Sequence, residues 1–207
     1  EKVGADVHDV ARGIGLDRRI GAKFLHPGPG FGGSCFPKDT RALFETSLAA
    51  DAPLQIVETV IEINEKRKKA MATRVINACN GSLTNKRIAV LGLTFKPNTD
   101  DMRESPSLDI LSELIKRGAT IRAYDPEGMG EARRLLSDVE FCDSSYATLE
   151  EADALVLITE WNEFRALDLD RVKSLMRTPV IIDLRNIYDP NDMTAKGFAY
   201  SSIGRPM

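Results

Sequence analysis

Cysteine and histidine are scarce in this sequence. Three cysteines (Cys35, Cys79, Cys142) and two histidines (His8, His26) are spread over 207 residues. The cysteines are odd in number and share no metal-ligand spacing, so the sequence predicts neither a disulfide framework nor a structural metal. A reduced, cytoplasmic protein is expected. No apolar run approaches the roughly 20 residues that cross a bilayer, and no secretory pattern is present, so no membrane partner is expected. An excess of one charge is lacking too. Lysine and arginine number 28 against 31 acidic residues, and the longest basic run is KRKK at 66–69. Four consecutive helical residues point in four directions, so this run reads as a solvated face and no nucleic-acid partner is expected.

The sequence does have enough apolar content for a core, at 43% hydrophobic, in one large domain or two modest ones. It opens EKVGADVHDVARGIGLD, without methionine and already at helical apolar spacing, and so reads as the middle of a longer protein. A helix is predicted over residues 1–12, ending near Gly13 or Gly15. PKDTRALFETSLAA reads as a second helix, and a longer one runs from Pro53 to the Asn80-Gly81 stop. The pattern changes near residue 84. RIAVLGL, TIRAYDP, ADALVLIT and TPVIIDLR read as buried strands, with VEFCD as a further short segment. Helices are predicted between strands, at 105–119, 129–137 and 168–177. Strands alternating with helices imply a parallel sheet covered on both faces. The expected fold is α/β: a helical region (1–84) followed by a Rossmann-like parallel-sheet domain (85–207).

Two loops carry candidate chemistry. GPGFGGSCFPKD (28–39) contains the letters G-x-G-x-x-G, but it neither leaves a buried strand nor opens a βαβ unit. It is therefore no dinucleotide fingerprint, and it lacks the Lys-Ser/Thr pair of a phosphate loop. The glycines alone fit a tight loop between helices equally well. Cys35 adds to them. It stands just before a helix, where free N–H groups favour an anion, with Lys38 in the first turn. Dipole and lysine together can bring a thiol from about 8.5 to roughly 7, a useful nucleophile; the alternative is an inert buried cysteine, the expected state of Cys79 and Cys142. Asp39, about one turn on, either holds a water or simply stabilises the helix start. The second loop, VLGLTFKPNTDDMRESPS, follows the first strand and keeps only Gly92 of a glycine fingerprint. Phe95 offers a face for a base or sugar, and Lys96 and Arg103 offer cations for phosphate. Asp125, after the second strand, stands where an acid would bind ribose, and Arg185 lies on the same sheet edge.

The stretches RIGAKFLHPGPGFGGSCFPKDTRAL and LGLTFKPNTDDMRESPS together resemble the UDP-glucose/GDP-mannose dehydrogenase family, and the resemblance covers essentially the whole chain. It implies oxidation of a sugar-nucleotide primary alcohol to a carboxylate with two NAD⁺, with UDP-glucose the expected substrate. Cys35 would form a thiohemiacetal and then a thioester, with Asp39 helping to activate the water that releases it. Arg19, Phe24, Leu25, His26, Gly28, Gly30, Phe31 and Gly32 would contact the nucleotide sugar, Arg19 across a dimer interface. Phe95, Lys96 and Arg185 would hold the nucleoside diphosphate, and Lys38 and Arg103 would lie near NAD. The family's N-terminal NAD-binding domain has no counterpart in these residues, so the chain is expected to be inactive alone and a homodimer when complete. GDP-mannose oxidation, a non-catalytic nucleotide-sugar module and a thiol redox protein are the rival expectations.

Overall fold

The computed structural model describes residues 1–205. Three helices come first: α1 (Val7–Gly15), α2 (Phe36–Ala49) and α3 (Gln55–Ala78). An alternating series follows: β1 (Arg87–Leu91), α4 (Pro106–Lys116), β2 (Thr120–Tyr124), α5 (Met129–Leu135), β3 (Val139–Phe141), α6 (Ser145–Leu149), β4 (Ala154–Leu157), α7 (Asn162–Arg165), α8 (Leu169–Leu175), β5 (Val180–Asp183), α9 (Pro190–Ala195) and β6 (Ala199–Ser202). The six strands form one sheet in the order β3-β2-β1-β4-β5-β6, parallel at every pairing. Chain direction across the sheet reverses between β1 and β4, so a crevice opens beyond their carboxyl ends, the usual ligand edge of such a sheet.

The strands bury both faces because successive side chains point to opposite sides. Ile88 and Val90 pack with α3, α4 and α5, while Ala89 and Leu91 pack with α6 through α9. Helix α3 is shared. Its last turns put Met71, Ala72 and Val75 into the sheet's core, while Ile56 and Ile63 near its start are exposed.

α1 begins at Val7, later than the apolar spacing predicts, because Asp6 caps it by accepting from the His8 N–H at 2.7 Å. α4 starts as its sequence suggests, with Ser105 as cap and Pro106 in the first turn. The short α6, α7, α9 and β6 are additions to the expected elements.

Candidate functional site

Two buried carboxylates set the sheet edge on which the site is built. Asp125, fully buried after β2, accepts from the Leu93 and Thr94 N–H groups at 2.7 and 3.1 Å. It also accepts from the Gly128 N–H at 2.7 Å and the Trp161 indole at 3.2 Å. This corrects the expectation that Asp125 meets a ribose: its oxygens are taken up in pinning three loops. Asp183, at the end of β5, does the same for its own turn. It accepts from the backbone of Arg185, Ile187 and Tyr188 and from the Tyr200 hydroxyl, at 2.7–3.1 Å. Burial, with Asp183 close by, drives both the Tyr188 and the Tyr200 phenol well above the ordinary tyrosine value. These pins fix the starts of the loops that carry Phe95, Lys96 and Arg185.

The glycine loop lies against this edge and against α3. Arg67 Nε donates to the Gly28 carbonyl at 2.7 Å, and a β-carbon at Gly28 would stand 2.5 Å from Arg185 Nη1. Asn64 grips Phe31 from both sides, accepting from its N–H at 2.8 Å and donating to its carbonyl at 3.1 Å. Gly33, at φ +86°, donates to the Arg103 carbonyl at 2.8 Å, and a β-carbon there would stand 2.8 Å from the Phe95 ring. A β-carbon at Gly32 would overlap the Glu104 carbonyl oxygen. Gly32 and Gly33 therefore make room for the protein's own second loop, Gly28 for Arg185 and Gly30 for Asn64 and Lys68 of α3.

Cys35 caps α2 in the exposed part of this loop, 3.6 Å from the Ser34 hydroxyl. Lys38, expected to attend the thiol, pairs with Asp39 at 3.4 Å. Arg103, whose carbonyl accepts from Gly33, forks its guanidinium onto Asp101 at 2.8–2.9 Å. Cys79 and Cys142 are buried, and burial pushes the Cys79 thiol up.

A cavity of about 2050 Å³ runs between the loop, α3 and the ends of β4 to β6. Of the residues singled out in the sequence, Phe24, His26, Gly28, Gly30, Phe31, Gly32, Phe95 and Arg185 line it. Arg19, Leu25, Lys96, Cys35, Lys38, Asp39 and Arg103 are outside its wall, although Gly32 and Phe36 on either side of Cys35 belong to it. Arg19 is exposed and paired with Asp17. The sequence reading missed Asn64, Arg67, Arg74 and Glu160. The first three share one face of α3 at spacings of three and seven, with Met71 between them, a signal legible in the sequence. Arg74 donates to the Ser202 carbonyl at 2.8 Å, and Glu160 forks onto Arg185.

The KRKK run also requires correction. Arg67 is half-buried, and burial pulls its guanidinium down from the ordinary arginine value. Lys68 is only 2% exposed, because Glu65 and Asp109, each at 3.2 Å, compensate its charge.

A nicotinamide dinucleotide does not fit the turn after β1. Gly92 is closed by Thr159, where a β-carbon would stand 2.5 Å from the Thr159 side chain. The Leu93 and Thr94 amides are taken by Asp125, and the Ser105 and Ser107 hydroxyls donate to the Leu93 carbonyl at 2.6 Å. Lys38 and Arg103 are exposed cations already paired with carboxylates, and they form no enclosed cradle. Among the described residues, no helix is long and apolar enough to cross a membrane, and no group of three or more His, Cys, Asp or Glu side chains is placed to hold a metal.

Sequence models of the UDP-glucose/GDP-mannose dehydrogenase family match the chain twice, the central domain over residues 1–66 and the UDP binding domain over residues 89–190. UDP-glucose 6-dehydrogenase of Rhizobium meliloti (strain 1021) is 58% identical over 206 residues, covering 100% of this chain and 47% of the relative. UDP-glucose 6-dehydrogenase TuaD of Bacillus subtilis (strain 168) is 48% identical over 207 residues, covering 100% and 45%. A solved UDP-glucose dehydrogenase from the hyperthermophilic archaeon Pyrobaculum islandicum superposes with a TM-score of 0.85 at 32% identity, over 99% of this chain and 45% of the other. The chain thus spans about half the length of the curated relatives it matches.

Proposed function

The chain belongs to the UDP-glucose/GDP-mannose dehydrogenase family, and on that premise we propose that it supplies the nucleotide-sugar site and the reactive thiol of an NAD-dependent UDP-glucose 6-dehydrogenase. The observation that carries this reading is the joint wall of one cavity. The cysteine loop forms one side, and Phe95 and Arg185 of the sheet edge form the other. In this reading residues 1–84 are the helical pairing region and residues 85–207 the UDP-sugar-binding domain.

Arg185 and Lys96 meet the diphosphate, Phe95 borders the nucleoside, and Phe24, Leu25, His26 and the 28–32 backbone enclose the sugar. Once the C6 alcohol has become an aldehyde, the Cys35 sulfur adds to the carbonyl carbon. The C–S bond forms, the carbonyl π pair moves to oxygen, and that oxygen takes a proton, giving a thiohemiacetal. When the same carbon stands at the oxidation level of a thioester, water held by Asp39 attacks, the C–S bond breaks and the thiolate returns with a carboxylate released. NAD supplies acceptance of hydride in such enzymes. Because the turn after β1 is closed to it, we assign Lys38 and Arg103 to its periphery and its main cradle to the additional length of the relatives. The exposed Leu43 and Leu48 of α2 and Ile56 of α3 would pack on a second copy, and Arg19 would reach that copy's site.

The test is a chimera in which this chain replaces the matching segment of the Rhizobium meliloti enzyme. Cys35→Ser in that frame is expected to lower UDP-glucuronate formation by on the order of 1,000-fold or more while UDP-glucose binding stays within a few-fold. Undiminished uronate formation would remove the nucleophile role and favour a binding module.

A further inference from the structure

The proposed chemistry assigns no task to the charged cluster behind the cysteine loop. Arg41, on the helix that Cys35 caps, forks onto Glu104 at 2.9 and 3.0 Å. Lys68 of α3, almost wholly buried, lies between Glu65 and Asp109, with Glu104 at 3.8 Å. Arg41 also approaches Glu65 at 3.8 Å. Two cations and three carboxylates thus join α2, α3, α4 and the 94–105 loop at one point.

The backbone at this point is unusual. Glu104 has φ +53°, a conformation that residues other than glycine, asparagine and aspartate rarely adopt. Such a residue persists where its surroundings hold it, and it often marks a functional constraint. Here the fork from Arg41 holds the carboxylate. The Glu104 carbonyl lies against Gly32, and the neighbouring Arg103 carbonyl accepts from Gly33. Only Ser34 separates Gly33 from Cys35.

We propose that Glu104, through its fork with Arg41, is a positioning residue that fixes the glycine loop and so holds Cys35 in place at the start of α2. The inference rests on the reading of Cys35 as the nucleophile. A bidentate carboxylate–guanidinium pair fixes angle as well as distance. It is therefore suited to keeping a glycine-rich loop, which has no side-chain anchors of its own, in one register.

The experiment measures iodoacetamide labelling of each cysteine in the 207-residue chain at neutral pH, by peptide mass, for the wild type, Glu104→Gln and Arg41→Met. Cys79 and Cys142 report folding, since both are buried. The expected result is that Cys35 labels far faster than either buried cysteine, and about tenfold more slowly in both variants. Cys79 and Cys142 should stay protected. In the chimera, kcat should fall by a similar factor while the KM for UDP-glucose stays within about threefold, since positioning acts on the reacting step. Wild-type Cys35 labelling in both variants would overturn the proposal. So would exposure of the buried cysteines in Glu104→Gln, which would make the cluster a folding element, or a KM that rises as much as kcat falls. A chimera inactive with the unaltered chain would instead count against the functional reading, and the labelling arm would still decide the role of Glu104.

Discussion

Gly32 illustrates how closely the two halves of the site meet. A β-carbon there collides with a backbone carbonyl, that of Glu104, which cannot swing aside as the end of a long side chain can. Gly32→Ala should destabilise the chain by about 1–3 kcal/mol, the usual cost of overpacking. This would be read as a lower urea midpoint with an unchanged slope. Gly13 is a control: it lies inside α1 with nothing within 4 Å of a β-carbon. Gly13→Ala should be neutral or stabilise by up to about 1 kcal/mol. The sequence revealed the glycines and the thiol among them. It did not reveal what the glycines make room for, because the atoms facing them come from residues 64, 68, 95, 104 and 185. The same limit applies to Lys68, whose burial depends on Asp109 from another helix, and to Asp125, whose donors come from three loops.

The elements depend on one another through a few polar joints, and α1 offers one that pH can probe. His8 Nε2 lies 2.9 Å from Arg205 Nη2 and 3.4 Å from Asn186 Nδ2. A guanidinium only donates, so the ring nitrogen accepts and the imidazole is neutral. Burial first, and then the Arg205 charge, hold the His8 pKa below its ordinary value, with Asp6 and Asp9 opposing. The unfolded chain therefore binds a proton more readily than the folded one. The contribution from His8 is present above about 6.5 and is lost as pH falls below that value. His8→Gln should flatten the decline in stability between about pH 7 and pH 5, measured by urea unfolding at each pH. An equally steep decline in the variant would place the acid sensitivity in other groups. The strands were legible because β1, β4 and β5 are dominated by apolar runs and β2 alternates buried with more exposed residues, each with turn residues near its end. α6, α7 and α9 have five, four and six residues, too few to display a helical period, and β6 reads AYSS, without an apolar run.

Across the whole molecule, the order β3-β2-β1-β4-β5-β6 puts the loops after β1, β4 and β5 on one edge. α3 carries the cysteine loop to that edge while its last turns anchor in the sheet's core. The parallel sheet was legible from alternation, and the position of its carboxyl edge followed from the fold. The docking of the helical region on that edge was not legible, because Arg67 and Asn64 reach backbone groups more than 30 residues away. If this shared cavity holds the UDP part of a nucleotide sugar, as proposed, titration calorimetry of the 207-residue chain with UDP, beside GDP, will register it. Arg185→Ala removes a cation and leaves the Glu160 carboxylate facing the cavity without its partner. One UDP per chain is expected, with weaker binding of GDP and a loss of UDP affinity of about 10–100-fold in Arg185→Ala, the range for hydrogen bonds to charged groups. Absence of UDP binding, or an unchanged affinity in Arg185→Ala, would contradict the proposal.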